Sequence, residues 1–325
     1  MSAESEAPAV ELSVIVPVYN EEAVLGRLFD RLYPVLDGLG VGYEAVFVDD
    51  GSRDRSATLL RQQHKLRPDT TRVVLLRNNA GQHAAIMAGF EASTGGRVIT
   101  LDADLQNPPE EIPRLLAEMD RGHDYVGTVR RKRQDAKWRD LASRAMNRLR
   151  ERITRIQMTD QGCMLRAYDR EIVEAVLACG EARTFIPALA FLYAVNPSEI
   201  LVEHEERAAG ESKYPLYKLI HLNFDLMTGF SLVPLQFFSL VGIGISLASF
   251  AFVFYLAIRR LVIGPEVEGV FTLFGILFFL AGVILFGIGL LGEYLGRVYE
   301  QSRGRPNYLV RAHLRPDWDR SETGA

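Results

Sequence analysis

Asp102 and Asp104 flank a single alanine in the run Leu101-Asp102-Ala103-Asp104-Leu105-Gln106-Asn107-Pro108-Pro109-Glu110. Paired carboxylates of this kind suit a hard cation. Mg²⁺ or Mn²⁺ held by one or two carboxylates plus substrate phosphates is a common way to neutralise a diphosphate. Arg97-Val98-Ile99-Thr100-Leu101 before them reads as a buried strand, and Pro108-Pro109-Glu110-Glu111 after them has the proline and acids of a helix start. The acids therefore fall at the carboxyl end of a strand, the edge at which open α/β sheets bind ligands. A solvated Asp-rich turn is the plainer reading.

Two other strand ends carry polar groups. Pro17-Val18-Tyr19-Asn20-Glu21-Glu22 closes the first apolar run without a Gly-x-Gly-x-x-Gly, which argues against a dinucleotide-binding domain. Val48-Asp49-Asp50-Gly51-Ser52-Arg53-Asp54 closes the second, and acids there suit ribose hydroxyls or the donor groups of a base. Ser52 or Asp54 could equally cap the next helix.

The elements that must position these groups alternate along the chain. Leu12 to Val18, Tyr43 to Val48, Arg72 to Leu76, Val98 to Leu101 and Tyr125 to Val129 read as strands, and Glu21 to Leu36, Ser56 to Leu66, Gln82 to Ala92 and Pro109 to Arg121 as helices. The order predicts an α/β fold with a mostly parallel sheet and helices on both faces.

From Arg130 to Arg155 eleven Lys or Arg stand against three acids, while Trp138, Leu141, Ala142, Ala145, Met146, Leu149, Ile153 and Ile156 recur at helical spacing. An amphipathic helix with a basic face is expected there. It could rest on anionic lipid and guide a lipid phosphate, or pack on the sheet as a solvated helix. No aromatic interleaving or known module supports nucleic-acid binding.

The net charge of -4 over 325 residues hides an apolar last third. Phe230 to Ile258 and Gly269 to Gly292 are charge-free runs of roughly 29 and 24 residues, against about 20 needed to cross a bilayer. They predict a transmembrane hairpin. Met1 to Glu11 lacks the basic-then-apolar pattern of a signal peptide, so the N-terminal part is expected in the cytoplasm, with the C-terminus returned to the same side. Arg297, Arg303, Arg305 and Arg311 fit the positive-inside rule. Arg259 and Arg260, in the expected outer loop, can snorkel to head groups. Tyr214 to Phe230 mixes Leu, Ile, Tyr and Phe with Lys218, His221 and Asp225, as a helix lying in the membrane interface does. Cys163 and Cys179 read as core thiols in a reducing compartment, and the scattered histidines suggest no zinc site.

Pro17 to Glu22, Asp49 to Ser52 and Asp102-Ala103-Asp104 occur in the order and positions found in family 2 glycosyltransferases of the GT-A fold, which this chain resembles. The two-span hairpin narrows the resemblance to polyprenyl-phosphate glycosyltransferases. Asn107 to Pro113, Val126 to Arg130, Gly162 to Tyr168, Gly210 to Tyr214 and Leu291 to Tyr294 are similar to strings in members that transfer 4-deoxy-4-formamido-L-arabinose to undecaprenyl phosphate. The chain departs at Gln161, where an aromatic residue is usual, and at Asn79-Ala80 before Gly81-Gln82-His83, where a tyrosine is.

The resemblance implies a UDP-sugar donor, an undecaprenyl (polyprenyl) phosphate acceptor, inversion at the anomeric carbon, and Mg²⁺ or Mn²⁺. Pro17, Tyr19, Glu21 and Asp50 would line the uridine pocket, and Asp102 would lie at the ribose and diphosphate end. Asp104 and Gln106 would bind the metal with Asp102. Asp160 matches a candidate base, although a phosphate monoester, largely a dianion at pH 7, needs little help from one. Arg130, Arg133, Arg166 and Lys213 are the cations that could hold the acceptor phosphate.

The expected organisation is a GT-A domain over 1–210, an interfacial helix over 211–231, two transmembrane helices at about 232–259 and 269–292, and a cytoplasmic tail over 293–325. In the tail, Asn307-Tyr308-Leu309-Val310 looks like a strand able to join a neighbour's sheet, and the family implies a homotetramer in the bacterial inner membrane. Three other readings stay open: transfer of glucose or mannose, a transporter of lipid-linked sugars, and a nucleotide-sugar binding scaffold.

Overall fold

The computed structural model describes residues 10–130, 158–160, 162–179, 185–203, 205, 233–263 and 270–319. They divide into two compact units, one built on a sheet and one on two long helices. The basic segment after Arg130, the interfacial segment 211–231, Arg133 and Lys213 lie outside the described residues.

Strands β1 (Leu12–Val18), β2 (Tyr43–Asp49), β3 (Thr71–Leu76), β4 (Arg97–Thr100) and β5 (Tyr125–Arg130) lie where the apolar runs predict them. Two short strands, β6 (Arg166–Asp169) and β7 (Pro197–Val202), carry no such signal. β6 has four residues with a charge at each end, and β7 is an edge strand that begins with proline. With β8 (Val310–Leu314) they form an eight-stranded sheet in the order β7-β5-β6-β4-β1-β2-β3-β8. β1 pairs in parallel with both β2 and β4, and β2 with β3. β6 runs antiparallel between β4 and β5, and β8 antiparallel to β3.

Helices α1 (Leu25–Asp37), α2 (Ser56–Leu66), α3 (Gln82–Ala92), α4 (Ile112–Met119), α5 (Arg170–Ala178) and α6 (Ile186–Tyr193) surround this sheet. Leu25, Leu28, Leu32 and Leu36 of α1 are fully buried in one cluster with Val14, Val16 and Val18 of β1. Each such leucine contributes about 2 kcal/mol. The alternate residues of β1 face α3, where Gly89 lies so close that a Cβ would sit 2.4 Å from Cγ2 of Ile15. Period-2 alternation on a strand thus feeds two cores.

At the amino ends of the strands, Glu44 and Arg72 form a buried ion pair with Nε to Oε2 at 2.8 Å. Ser13 and Thr94 donate to the other oxygen of Glu44, and Asp319 of the tail accepts from Arg72 NH1 at 2.6 Å. The tail strand is displaced from the expected 307–310 to Val310–Leu314, where it covers β3 of its own sheet.

The second unit consists of α7 (Val233–Ile263) and α8 (Val270–Ser302), both long and apolar enough to cross a membrane. They meet where Phe238 stacks obliquely on Phe286, with centroids 5.7 Å apart, next to Gly287. Phe238 lies near the start of α7 and Phe286 at the middle of α8, a contact compatible with a hairpin. Phe237, Leu240, Leu247, Phe278 and Leu285 are exposed, an apolar surface that water does not favour. Both helices outrun the expected spans. Arg259 and Arg260 lie inside α7 rather than in a loop, because the first helix breakers after them are Gly264-Pro265.

Candidate active site

Three strand ends converge on one edge of the sheet. Asp50 N donates to Val18 O at 2.8 Å on one side of β1, and Leu101 N donates to Ile15 O at 2.9 Å on the other. Pro17 to Tyr19 therefore lies between the Asp49-Asp50 turn and Asp102. Strand order reverses between β1 and β4, and such a switch point opens the crevice in which α/β sheets bind ligands.

Along the acid loop, Ala103 and Leu105 are buried while Asp102, Asp104 and Gln106 stay partly exposed, so three oxygen-bearing side chains alternate with two anchors. Leu105 adopts φ 61°, a left-handed conformation that non-glycine residues seldom hold. Asp104 Oδ1 accepts from Gln106 N at 3.1 Å, and Gln106 O accepts from Glu205 N at 2.9 Å. Asp102 receives Gln82 Nε2 at 2.6 Å from the start of α3, and Asn107 Nδ2 at 3.5 Å. Among the described residues no three His, Cys, Asp or Glu cluster as a complete metal cage. Two carboxylates and an amide oxygen instead match the partial donor set of a Mg²⁺ or Mn²⁺ site completed by substrate phosphates.

The turn after β2 is laced to the turn after β1. Ser52 Oγ accepts from Asn20 N, Ser56 Oγ from Glu21 N and Asp54 Oδ2 from Glu22 N, while Arg53 N and Arg55 N donate to the Asn20 and Glu22 side chains. A turn in which Val24 N and Leu25 N both bond to Glu21 O precedes α1, which starts at Leu25 and not at Glu21 as expected. Tyr19 is left 41% exposed above the sheet edge. Asp50 is buried, and its two oxygens accept from Asn79 Nδ2, Ala80 N and Gly81 N at 3.0, 2.7 and 2.9 Å. Burial pushes its carboxyl above the usual range, against the pull of those amides. Asp49 Oδ1 is buried with no partner among the described residues.

On the far side of the acid loop, Asp160 pairs with Arg130 at the end of β5, with Nε to Oδ2 at 2.6 Å, and accepts from Gly162 N at 3.0 Å. Burial pushes its carboxyl up, but the Arg130 guanidinium outweighs this and holds it below the usual range.

Residues 13–177 match the model of a family described as Glycosyl transferase family 2. The chain belongs to that family. It is 52% identical over 306 residues to the undecaprenyl-phosphate 4-deoxy-4-formamido-L-arabinose transferase of Pseudomonas aeruginosa, covering 94% of this chain and 90% of that protein. The transferase of the same name from Pseudomonas paraeruginosa is 51% identical over the same length. Among solved structures, glucosyl-3-phosphoglycerate synthase from Mycobacterium tuberculosis in complex with phosphoglyceric acid aligns with a TM-score of 0.46 and 20% identity, over 67% of this chain and 78% of that one.

This family 2 glycosyltransferase brings Pro17, Tyr19, Glu21, Asp50, Asp102, Asp104 and Gln106 to one sheet edge. Arg166 is among the cations expected at the acceptor phosphate. It is wholly buried, with Nε on Cys163 O at 2.8 Å, NH2 on Asp160 O at 2.6 Å and NH1 on the Tyr125 hydroxyl. Those bonds tie it into the loop beneath Asp160, and β6 carries it between β4 and β5. Cys163 is buried as expected, but Cys179 is only half-buried. Sequence reasoning missed Gln82, Asn79 and Asn107 as partners of the acids. A signal was there for Asn79, where Asn79-Ala80 departs from the family pattern.

Proposed function

We propose that this enzyme transfers 4-deoxy-4-formamido-L-arabinose from UDP to undecaprenyl phosphate, with inversion, at the cytoplasmic face of the bacterial inner membrane. Placement carries the reading: Asp102 and Asp104 stand across β1 from the Asp49-Asp50 turn, at the switch point of the sheet. The curated relatives, at 52% identity across 94% of the chain, support the choice of sugar and acceptor.

Pro17, Tyr19 and Glu21 line the uridine pocket, whose wall is the 79–81 turn that Asp50 holds. Asp102, Asp104 and the Gln106 amide oxygen hold Mg²⁺ or Mn²⁺, which when bound supplies Lewis-acid neutralisation of the departing diphosphate. Arg130, Arg133 and Lys213 offset the charge of the acceptor phosphate. That phosphate is largely a dianion at neutral pH and attacks the anomeric carbon without a strong base. Asp160 orients Arg130 rather than removing a proton. The two long helices anchor the enzyme in the bilayer with both termini in the cytoplasm.

Transfer of 4-deoxy-4-formamido-L-arabinose and of glucose from their UDP donors to undecaprenyl phosphate, measured with the purified full-length enzyme, tests the assignment. Preferred transfer of the aminoarabinose precursor is expected, and preferred glucose transfer would sink the choice of sugar.

A further inference from the structure

Leu105, between Asp104 and Gln106, holds φ 61° with its side chain buried in the main core cluster. A non-glycine residue keeps left-handed backbone only where its surroundings impose it. One restraint is internal to the acid loop, where Asp104 Oδ1 accepts from Gln106 N at 3.1 Å. The others come from distant parts of the chain.

At and beyond the end of β7, alternate residues are stitched to the chain that runs from Gln106 to Arg114. Leu201 O accepts from Arg114 NH2 at 3.0 Å, Glu203 N donates to Glu111 Oε1 at 3.3 Å, and Glu205 N donates to Gln106 O at 2.9 Å. Arg31 of α1 closes this seam. Its Nε and NH2 donate to the two oxygens of Glu110 at 2.9 and 2.8 Å, and its NH1 and NH2 to the two oxygens of Glu205 at 3.0 and 2.9 Å. The rigid fork of a guanidinium can hold two carboxylates at once, which the single point charge of an ammonium does not match. A part-exposed ion pair is weak as a source of stability. This one is distinguished by where it acts, because the main-chain bond of Glu205 falls on the residue next to strained Leu105.

We propose that Arg31 and Glu205 are positioning residues, a clamp that holds the main chain at Gln106 so that the Asp104–Gln106 stretch keeps the conformation that binds the divalent cation. The clamp rests on the metal assignment above and extends it to side chains that act on the loop from outside. Arg31 works through Glu205 onto Gln106 O, and through Glu110 onto the short turn Pro109–Glu111 that follows the loop. With the clamp open, Leu105 is free to relax and the oxygen ligands lose their fixed arrangement.

The test titrates full-length enzyme in detergent, with UDP present, with Mn²⁺, reading bound metal from the loss of the free-ion paramagnetic resonance signal. Unfolding midpoints are measured without ligand. Arg31→Met removes every donor and should weaken Mn²⁺ binding about tenfold or more. Glu205→Ala keeps the main-chain donor but releases it from Arg31, and should lose part of that affinity; Glu205→Gln, which still offers Arg31 an oxygen, should recover some of it. The Arg31→Met, Glu205→Ala double variant should bind Mn²⁺ no worse than Arg31→Met alone, because both act through one contact. Arg67→Met is the control. Arg67 pairs with both oxygens of Asp37 at 2.9 and 2.8 Å at the far end of α1, and its loss should leave Mn²⁺ affinity unchanged whatever the midpoint does. Wild-type Mn²⁺ affinity in Arg31→Met overturns the proposal, as do an equal loss in Arg67→Met and fully additive losses in the double variant. If Arg31→Met does not fold, wild-type affinity in Glu205→Ala overturns it. A wild-type enzyme that holds no Mn²⁺ beyond that bound by UDP in solution overturns the metal assignment and the clamp together; one that holds Mn²⁺ as its variants do overturns the clamp alone.

Discussion

Asp160 turns both carboxylate oxygens to one edge of the Arg130 guanidinium, taking Nε on Oδ2 at 2.6 Å and NH2 on Oδ1 at 2.9 Å. The pair joins the end of β5 to the loop before β6 at the same sheet edge as the acid loop. A carboxylate so held is ionised throughout the neutral range and is a weak base.

That pairing predicts the pH profile. The rate of transfer is expected to fall below about pH 6, as the acceptor phosphate takes up its second proton, and to stay level above. Asp160→Asn should lower the plateau without moving this limb, and a limb that shifts in the variant would mean that Asp160 titrates during the reaction. For stability the sign is the depressed-acid one. The folded value lies below the unfolded value, so the pair stabilises the fold at neutral pH, and the contribution is lost as pH falls through the folded value. Arg130→Ala should cost about 2 kcal/mol at pH 7, with a smaller deficit in acid, read from denaturant midpoints.

Asp104→Asn should reduce transfer by about 100-fold or more with unaltered circular dichroism. Chelation should have the same effect and be reversed by Mg²⁺ or Mn²⁺. Wild-type activity in the variant with metal present would falsify the metal assignment.

Arg166→Leu should destabilise the enzyme by about 3 kcal/mol, because it strands the carbonyls of Cys163 and Asp160 and the Tyr125 hydroxyl. Arg166→Lys should not restore it, since one ammonium cannot span three acceptors. Unfolding curves measure both. Unchanged stability together with a raised acceptor KM would return Arg166 to the phosphate.

Gly51 has φ 68°, and a Cβ on it would lie 2.6 Å from Asn78 C and 2.8 Å from Asn79 N, both main-chain atoms. Gly51→Ala should cost about 2 kcal/mol and weaken UDP binding, because the displaced segment leads into the Asn79-Ala80-Gly81 turn that holds Asp50. Gly26→Ala is the control. No atom lies within 4 Å of its Cβ position, and a gain of about 0.5 kcal/mol is expected there.

Local order along the chain determined much of this protein. Five strands, the helices Ser56–Leu66 and Gln82–Ala92, the two long apolar helices and the acids at the ends of β2 and β4 follow from patterns within a dozen neighbouring residues. Side-chain period and turn chemistry are properties of adjacent residues, so they are readable in one dimension. The tertiary structure decided which groups those acids and cations meet. Arg130 and Arg166 look alike as charges, yet one sits part-exposed on Asp160 and the other is sealed beneath it. Their difference comes from β6, an antiparallel strand of four residues inserted between β4 and β5. Charge and hydropathy are carried by each residue, whereas burial and hydrogen-bond partners depend on strand order, which brings together groups far apart in the chain.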